Sequence, residues 1–227
     1  MGYIARHHTR PWLVFDLETT AIADLDDYAD DLRIDSRLRD PEKIAQAQQA
    51  AREKAALDID LARIVCLGYW TSDQAAPVVL SGDTEDAERD MLAHLWTAYT
   101  DIVGRGGTIC GFNVLGYDLP LANRRAQYLC VWDRPAIELN KYRPGPVLDL
   151  MQYLSYEGAV PARRLAFYCK RFGIHIPDAT SGADMPTLIA AGDWDAVRAH
   201  CLSDVQRTQA LAVRLGLIRP PAEAVVL

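Results

Sequence analysis

The sequence predicts an α/β fold in which helices flank a mixed central sheet of about five strands. Apolar runs of strand length come early in the chain, whereas helical periodicity dominates after residue 162. Half of the 227 residues are hydrophobic, which is enough to bury one complete core. An early run of three strands followed by helices is typical of a sheet covered by helices. We therefore predict a single domain over residues 1–227, without repeats or low-complexity linkers.

The first predicted strand covers residues 11–17, and a charged stretch over residues 22–60 follows it. Pro41 suits the first turn of a helix, and residues 42–57 are rich in Ala, Gln, Glu and Lys, which favour helix formation. We predict that residues 22–60 form a helical insertion. A solvated surface helix is the favoured interpretation, and an insertion that borders a functional cleft is the alternative.

The remaining elements follow from short apolar runs between turn residues and from helical spacing. Strands are predicted over residues 62–71, 76–80, 108–112 and 146–150. Helices are predicted over residues 84–99, 119–128, 162–172, 185–191 and 194–215. Thr84 is the predicted N-cap of the first of these helices. A short tail over residues 219–227 completes the predicted domain.

Composition excludes several classes of protein. No segment reaches the roughly 18 uninterrupted apolar residues of a transmembrane helix, so we predict no membrane span. The start MGYIARHHTRPW lacks the apolar core of a signal peptide, which predicts a cytoplasmic protein. The five cysteines form no CxxC pair, so buried reduced thiols are favoured over disulfides or a zinc site. The formal charge of −7 argues mildly against a protein that coats nucleic acid electrostatically.

Asp16 and Glu18 form the most informative pair, in the apolar run LVFDLETT. Side chains alternate between the faces of a strand, so these two carboxylates lie on the same face. Adjacent buried carboxylates resist ionisation unless a positive charge lies between them. Magnesium is a suitable cation because it prefers hard oxygen ligands. From this pair alone, a metal site and a strand end whose acids reach solvent are both open.

Two later segments complete a pattern. ICGFNVLGYDLPLANRR contains Asn113 and Asp118, and HCLSDVQRTQAL contains Asp204. In this order, the three acidic segments resemble the Exo I, Exo II and Exo III motifs of the DEDD 3′→5′ exonuclease superfamily, over about residues 11–215. The five-residue step from Asn113 to Asp118, followed by Leu-Pro, is most similar to the proofreading domain of family B DNA polymerases and its stand-alone relatives.

The resemblance implies a ribonuclease H-like fold in which four acids hold two ions of Mg²⁺ or Mn²⁺. It implies that Asp16, Glu18 and Asp204 hold the ion that generates the nucleophile. Asp16 would also bridge to a second ion, which Asp118 helps to position through water. Taken singly, Asp118 is equally suited to cap a helix, and Asp204 to occupy an exposed helical position.

His200 departs from the superfamily pattern. One branch of the superfamily has Tyr four residues before the last Asp, and the other has His five residues before it. Here His200 lies four residues before Asp204, a spacing that puts both side chains on one face of a helix. The pKa of histidine is ordinarily about 6.5, so this residue type can accept a proton from water near neutral pH. Passive packing of His200 is the alternative.

Four further residues are candidates for supporting roles. Thr19 and Thr20 follow the acidic pair and are predicted to contact the 3′ end of a substrate. Asn113 is predicted to orient either the Exo II turn or the terminal sugar of the substrate. Asp149 is interpreted as a structural hydrogen-bond acceptor, with assistance to the site as the alternative.

The predicted helix over residues 162–172 is basic. Its cations are interpreted as a solvated face, with phosphate contacts as the alternative. Its aromatic residues are predicted to lie in the core. The cations are Arg163, Arg164, Lys170 and Arg171, and the aromatic residues are Phe167, Tyr168 and Phe172.

The expected function is metal-dependent 3′→5′ exonuclease activity that hydrolyses single-stranded DNA to nucleoside monophosphates, in a context such as DNA repair. The expected partner is a single-stranded nucleic acid, with DNA favoured over RNA, and no membrane is expected. One alternative is an exoribonuclease of the same superfamily. Another is a catalytically quiet nucleic-acid-binding module, although four intact acids argue against it because idle buried carboxylates are a liability.

Overall fold

The central strand of the sheet is also the strand that carries the acidic pair. A computed structural model describes residues 10–137 and 145–220 and contains a five-stranded sheet with the order β3-β2-β1-β4-β5. Strands β1, β2 and β3 pair antiparallel, whereas β4 pairs parallel to β1 and to β5. The predicted mixed sheet is therefore confirmed. Its strands are β1 (Trp12–Ala21), β2 (Ala62–Thr71), β3 (Val78–Ser81), β4 (Thr108–Gly111) and β5 (Val147–Asp149).

Seven α-helices accompany the sheet in the described ranges. Several begin at residues whose side chains accept a hydrogen bond from a backbone N–H of the first turn, as Thr84 and Asp193 do. Two short 3₁₀ turns, Leu25–Asp31 and Ala55–Leu57, flank the first helix. The helices are α1 (Pro41–Glu53), α2 (Glu85–Gly104), α3 (Asp118–Tyr128), α4 (Leu150–Leu154), α5 (Leu165–Phe172), α6 (Met185–Ala191) and α7 (Trp194–Arg214).

Side chains of β1 alternate between two cores. Leu13, Phe15 and Leu17 belong to a buried cluster that includes apolar residues of α2 and α3. Trp12 and Val14 belong to a second cluster that includes apolar residues of α5 and α7. The even-numbered residues of β1 therefore face α7, because successive residues of a strand point to opposite faces.

Gly68 allows α7 to approach the sheet closely. This residue of β2 pairs with Asp16 of β1. A Cβ atom at Gly68 would lie 2.8 Å from Val205 Cγ2 and 2.9 Å from Cys201 Sγ, which is closer than carbon or sulfur atoms tolerate. The missing side chain thus lets the middle of α7 lie directly beside the acidic pair.

Strand β1 is longer than predicted. It continues past residue 17 because the segment from Glu18 to Ala21 pairs with the start of β2, in a register that skips Val65. The strand was predicted from a run of apolar residues, and the polar residues Thr19 and Thr20 do not continue that run. The acidic pair therefore lies within the strand, just past Val14, where the parallel pairing with β4 ends.

Other boundaries differ by a few residues. The predicted strand over residues 146–150 ends at Asp149, whose carboxylate caps the unpredicted helix α4. The helix that was predicted to end at residue 99 continues to Gly104. The predicted helix over residues 162–172 begins only at Leu165. Its Phe167 is 47% exposed, so the prediction that this ring lies in the core was wrong, whereas Tyr168 and Phe172 pack against the second core cluster.

The insertion over residues 22–60 combines both interpretations. Helix α1 buries none of its residues, as expected for a solvated helix. The turn after it is anchored to β1, because Ala55 is buried and the carbonyl of Ala56 accepts hydrogen bonds from the hydroxyls of Thr19 (2.7 Å) and Tyr117 (2.6 Å). This end of the insertion therefore lies next to the acidic strand.

All five cysteines are free thiols. Four of them are buried, as predicted, and Cys130 is exposed. Within the ranges that the structure describes, none of the helices combines the length and the apolar composition that a membrane crossing requires.

Candidate metal centre

The acidic pair of β1 faces helix α7. Glu18 is buried and Asp16 is partly buried. One ligand atom each from Asp16, Glu18 and Cys201 lie within 4.8 Å of one another. The thiol of Cys201 also donates a hydrogen bond to the backbone carbonyl of Asp16, at 3.7 Å. Strand β1 and helix α7 thus meet at these two carboxylates.

Asp118 joins them from the start of α3. The loop that follows β4 leads to this helix, and β4 runs parallel to β1, so both chain segments arrive at the same edge. Asp118 is 6% exposed and is the first residue of α3. Tyr117 occupies the N-cap position and no side-chain cap is made there, so Asp118 does not cap the helix. Its carboxylate is instead close enough to raise the pKa of Asp16 and of Glu18.

Asp149 holds the loop that leads to Asp118. Its two carboxylate oxygens accept hydrogen bonds from the backbone N–H groups of Asn113 and Leu115, each at 3.0 Å. Asn113 has φ 64°, a left-handed conformation that Asn tolerates better than most residues. The predicted structural role of Asp149 is therefore confirmed, and Asn113 shapes the turn through its backbone.

Helix α7 brings His200 and Asp204 to the same place. His200 is 5% exposed, and its Nε2 lies 3.9 Å from Glu18 Oε1 and 3.9 Å from Asp204 Oδ2. The four-residue spacing therefore sets both side chains on one face of the helix. The imidazole nitrogen points between two of the predicted metal ligands.

Asp178 is a site residue that the sequence did not reveal. It lies in the loop between α5 and α6, where no periodic pattern singles it out, and its side chain is 4% exposed. Its Oδ2 lies 3.0 Å from Nδ1 of His200, and the Thr180 hydroxyl lies 3.2 Å from the same nitrogen. An ionised carboxylate can only accept, so Nδ1 carries a proton, and in the neutral imidazole the lone pair of Nε2 would face Glu18 and Asp204.

Arg207 supplies a positive charge to the same cluster. Its Nη1 donates to Asp178 Oδ2 at 2.6 Å and to Asp204 Oδ1 at 3.1 Å. Its Nη2 donates to the carbonyl of Ile176 at 3.0 Å, which fixes the guanidinium on this loop. The spacing of three residues from Asp204 could have indicated this ion pair from the sequence.

The carboxylates of the cluster resist ionisation. Burial raises the pKa values of Asp16 and Glu18 well above their usual range, and neighbouring carboxylates raise them further. Burial raises the pKa of Asp118 to about 7, against backbone hydrogen bonds from Asp118 itself and Leu17. Burial also raises the pKa of Asp204, although His200 and Arg207 act in the opposite direction. The negative charge of these four groups is therefore only partly compensated by protein groups.

Asp178 behaves in the opposite way. Burial by itself would raise the pKa of Asp178, but hydrogen bonds from His200 and Thr180 outweigh it, so the net pKa is lowered. Asp178 is thus an ionised acceptor for His200. The other four acids have raised pKa values, which a bound cation would lower.

Oxygen atoms are the donors that this site offers to a metal. The pKa of Cys201 is raised by a hydrogen bond with Cys66 and by burial, so its thiol keeps its proton. Four crowded carboxylates fit a divalent cation that prefers hard oxygen ligands, such as Mg²⁺ or Mn²⁺. The ligand atoms of Asp178, His200 and Asp204 also lie within 4.8 Å of one another, but Arg207 already neutralises Asp178.

The two threonines after the acidic pair differ from each other. The hydroxyl of Thr19 is engaged by the Ala56 carbonyl and lies 3.1 Å from the Tyr117 hydroxyl, so it links β1 to the insertion and to the Asp118 loop. Thr20 is partly buried and pairs with Arg63 in the sheet. Contacts of Thr19 and Thr20 with a substrate stay a prediction, as does a substrate contact of Asn113.

We expect the metal-free protein to lose stability as the pH rises through the folded-state pKa of Asp118. That pKa is about 7, whereas the pKa of an Asp in an unfolded chain is about 3.9. Between these values the folded protein keeps a proton that the unfolded chain has released, so the free energy of unfolding falls with rising pH. Asp118→Asn removes this contribution. In thermal unfolding with a chelator, the melting temperature of the variant minus that of the wild type should grow from about pH 5 to about pH 8.

The contribution is on the order of a few kcal/mol at the upper end of this range, or several degrees in melting temperature. Asp90→Asn is a matched control, because Asp90 is an exposed acid on α2. That control should show no pH-dependent difference from the wild type. A constant difference for Asp118→Asn across the range would contradict the assignment of a raised pKa.

Solved structures of other proteins share this fold. A family B DNA polymerase from the archaeon Pyrobaculum calidifontis superposes with a TM-score of 0.59 at 17% identity, over 91% of this chain and 24% of the polymerase. A product-bound exonuclease I gives 0.51 at 13% identity, over 91% of this chain and 43% of that one. A second exonuclease I structure superposes with a TM-score of 0.52 at 14% identity, over 93% of this chain and 42% of that one.

These similarities establish the fold. The protein has the α/β, ribonuclease H-like fold of exonuclease domains, as the three motifs predicted. The chain spans about a quarter of the polymerase and about two fifths of each exonuclease I. No protein-family model and no curated protein sequence matches the chain.

Proposed function

We propose that this protein is a metal-dependent 3′→5′ exonuclease that hydrolyses single-stranded DNA to nucleoside monophosphates. The observation that carries the proposal is the meeting of four carboxylates and His200 Nε2 at one buried site. The fold, shared with exonuclease I and a family B DNA polymerase, supports the same activity. The name of the polymerase favours DNA over RNA as the substrate.

Asp16, Glu18, Asp118 and Asp204 would hold two divalent cations, Mg²⁺ or Mn²⁺. When bound, such ions neutralise phosphate charge, activate water and stabilise the leaving oxygen. The carboxylates position the scissile phosphate indirectly, because they determine where the cations that attract it would bind. A catalytically quiet module is disfavoured, since four crowded acids lower stability without a compensating use.

His200 would accept the proton of the attacking water. Its Nε2 lone pair faces Glu18 and Asp204, and its Nδ1 proton is held by Asp178. In this proposal His200 is a general base and Asp178 is a positioning residue that selects the tautomer. Arg207 stabilises Asp178 in its ionised form and would share Asp204 with the metal site. A cytoplasmic role in DNA repair stays a prediction from the sequence.

The test is the product pattern on end-labelled strands. With Mg²⁺ or Mn²⁺, a 5′-labelled single strand of DNA should shorten stepwise from its 3′ end and release mononucleotides. A 3′ phosphate should slow the reaction, because the site is expected to bind a free 3′ hydroxyl. A matched RNA strand, run in parallel, decides between exonuclease and exoribonuclease. Cutting of a covalently closed single-stranded circle at a similar rate would overturn the proposal in favour of an endonuclease.

A further inference from the structure

Helix α5 and the two residues before it carry four cations and one exposed aromatic ring. Arg163 and Arg164 lie four and three residues before Phe167, and Lys170 and Arg171 lie three and four residues after it. Phe167, Lys170 and Arg171 share one face of α5, because positions three and four apart lie on the same side of a helix, whereas Arg163 and Arg164 precede the first helical residue. All five residues are exposed. The guanidinium carbon of Arg163 lies 5.6 Å from the centre of the Phe167 ring. We call these five residues the α5 surface.

Packing of the helix does not explain the outward position of Phe167. The opposite stripe of α5 consists of Leu165, Tyr168, Cys169 and Phe172, which pack against the second core cluster. This stripe has the spacing of an amphipathic helix and is sufficient to dock α5. The Phe167 ring meets that of Tyr168 edge to face at 5.6 Å and is still 47% exposed, so its remaining surface is available to a ligand.

The cations of the α5 surface have no carboxylate partners among residues 10–137 and 145–220. In contrast, Arg63, Arg125 and Arg207 all form ion pairs. Residues 158–177 contain no Asp or Glu, although the chain as a whole has a formal charge of −7. The α5 surface is thus a local positive region on an acidic protein, and its charge is complementary to a polyanion.

A large cavity near the end of β1 has the opposite character. Its volume is about 860 Å³, and six carboxylates and three arginines line it. This excess of negative charge disfavours a nucleic-acid strand on that side of the molecule. The carboxylates belong to Asp24, Asp31, Asp58, Asp60, Asp83 and Glu85.

Helix α5 also adjoins the metal centre. The Tyr168 ring lies 6.1 Å from that of Phe112, at the start of the loop that leads to Asp118. Cys169 lies in the same buried core cluster as Val205, the residue that follows Asp204 on α7. The buried side of α5 therefore contacts Phe112 and shares a core cluster with α7, so the helix lies next to the candidate metal centre.

We propose that the α5 surface binds the single DNA strand whose 3′ end lies at the metal centre. Phosphates contact the four cations, and one base stacks on Phe167. This combination of an aromatic platform and a cationic track is how single strands are bound without sequence preference. The inference rests on the proposed function and adds the path of the substrate.

The test is the affinity of the full chain for a labelled thymidylate strand of about 12 nucleotides, a length within the usual range of such sites. The measurement is fluorescence anisotropy at several salt concentrations, in an Asp16→Asn background that prevents cleavage. Replacing all four cations with Gln should weaken binding and reduce the salt slope by about 0.7 for every phosphate that is no longer neutralised. Phe167→Ala should weaken binding about 5- to 100-fold without changing that slope.

A charge-matched control replaces four cations elsewhere, in or near the insertion, and should bind like the parent protein. Those residues are Arg33, Arg37, Arg39 and Lys43, all of them exposed. If the control weakens binding as much as the α5 variant, the effect is general electrostatics and the inference is overturned. Unchanged binding by Phe167→Ala would overturn it as well, because no base would then stack there.

Failure of this inference can be told apart from failure of the proposed function. The wild-type protein is assayed with thymidine 5′-p-nitrophenyl phosphate, which has no second phosphate to reach α5. If neither this ester nor a strand is cleaved with Mg²⁺ or Mn²⁺, the proposed function is wrong. If both are cleaved, and the α5 variants bind strands as the parent does, only the α5 path is wrong.

Discussion

Asp16→Asn should lower the rate of strand cleavage by at least about 10³-fold while the protein stays folded. The variant removes a carboxylate that is expected to hold both ions, and loss of several kcal/mol of metal-dependent stabilisation corresponds to a factor of this size. Cleavage of a labelled strand at saturating Mg²⁺ or Mn²⁺ measures the loss. Because one repelling carboxylate is gone, the metal-free variant should melt at a higher temperature than the metal-free wild type.

The same variant should also lose the gain in melting temperature that metal gives the wild type, because a ligand that binds the folded state stabilises it by mass action. Asp90→Asn controls for a general effect of removing negative charge, since Asp90 is exposed on α2. Normal turnover by a well-purified Asp16→Asn protein would show that the metal centre lies elsewhere. An unchanged metal-dependent shift in melting temperature would lead to the same conclusion.

His200→Ala should reduce turnover roughly 10²- to 10⁴-fold, the usual size of a positioned acid–base contribution. Added imidazole should restore part of the lost rate, because it can occupy the space that the substitution leaves and accept the proton. It should not rescue Asp16→Asn. His200→Tyr should keep much of the activity, since the four-residue spacing matches that of the tyrosine branch. The exposed His175 provides the control variant, His175→Ala, with the wild-type rate.

Asp178→Asn should lower turnover by a smaller factor than His200→Ala, because it replaces the charged acceptor that selects the imidazole tautomer with a neutral amide that can also donate. If Asp178 acts through His200, the double variant should be no slower than His200→Ala alone. A merely structural role would not give this result, since its loss would add to that of His200. Equal rates for His200→Ala and the wild type, without any effect of imidazole, would make His200 a bystander.

The five site residues that the sequence predicted come together for simple geometric reasons. Period-two alternation placed Asp16 and Glu18 on one face of β1, and helical spacing did the same for His200 and Asp204. No local pattern shows that β1, Asp118 and α7 form one site. That prediction came from the order of the three motifs. The position of Asp149 at a strand end favoured a structural hydrogen bond, and its carboxylate accepts two from the Asp118 loop.

Asp178 could not be predicted in this way. It lies in a loop without periodicity, and its partner His200 is 22 residues away on a helix. The pairing depends on how the loop folds back over α7, which is a property of tertiary packing. The exposed position of Phe167 was predictable in principle, because the apolar stripe of α5 excludes that position, whereas its hydrophobicity alone suggested the core.

Gly68 limits how the candidate metal centre can be redesigned. The separation between the carboxylates of β1 and Asp204 of α7 depends on the contact of Gly68 with the Val205 and Cys201 side chains, which leaves no room for a methyl group. Retuning the centre for a larger cation therefore cannot be done by exchanging ligands alone. It would also require moving α7 relative to the sheet. The first position to change would be Gly68, which has no side chain and would hold no ion.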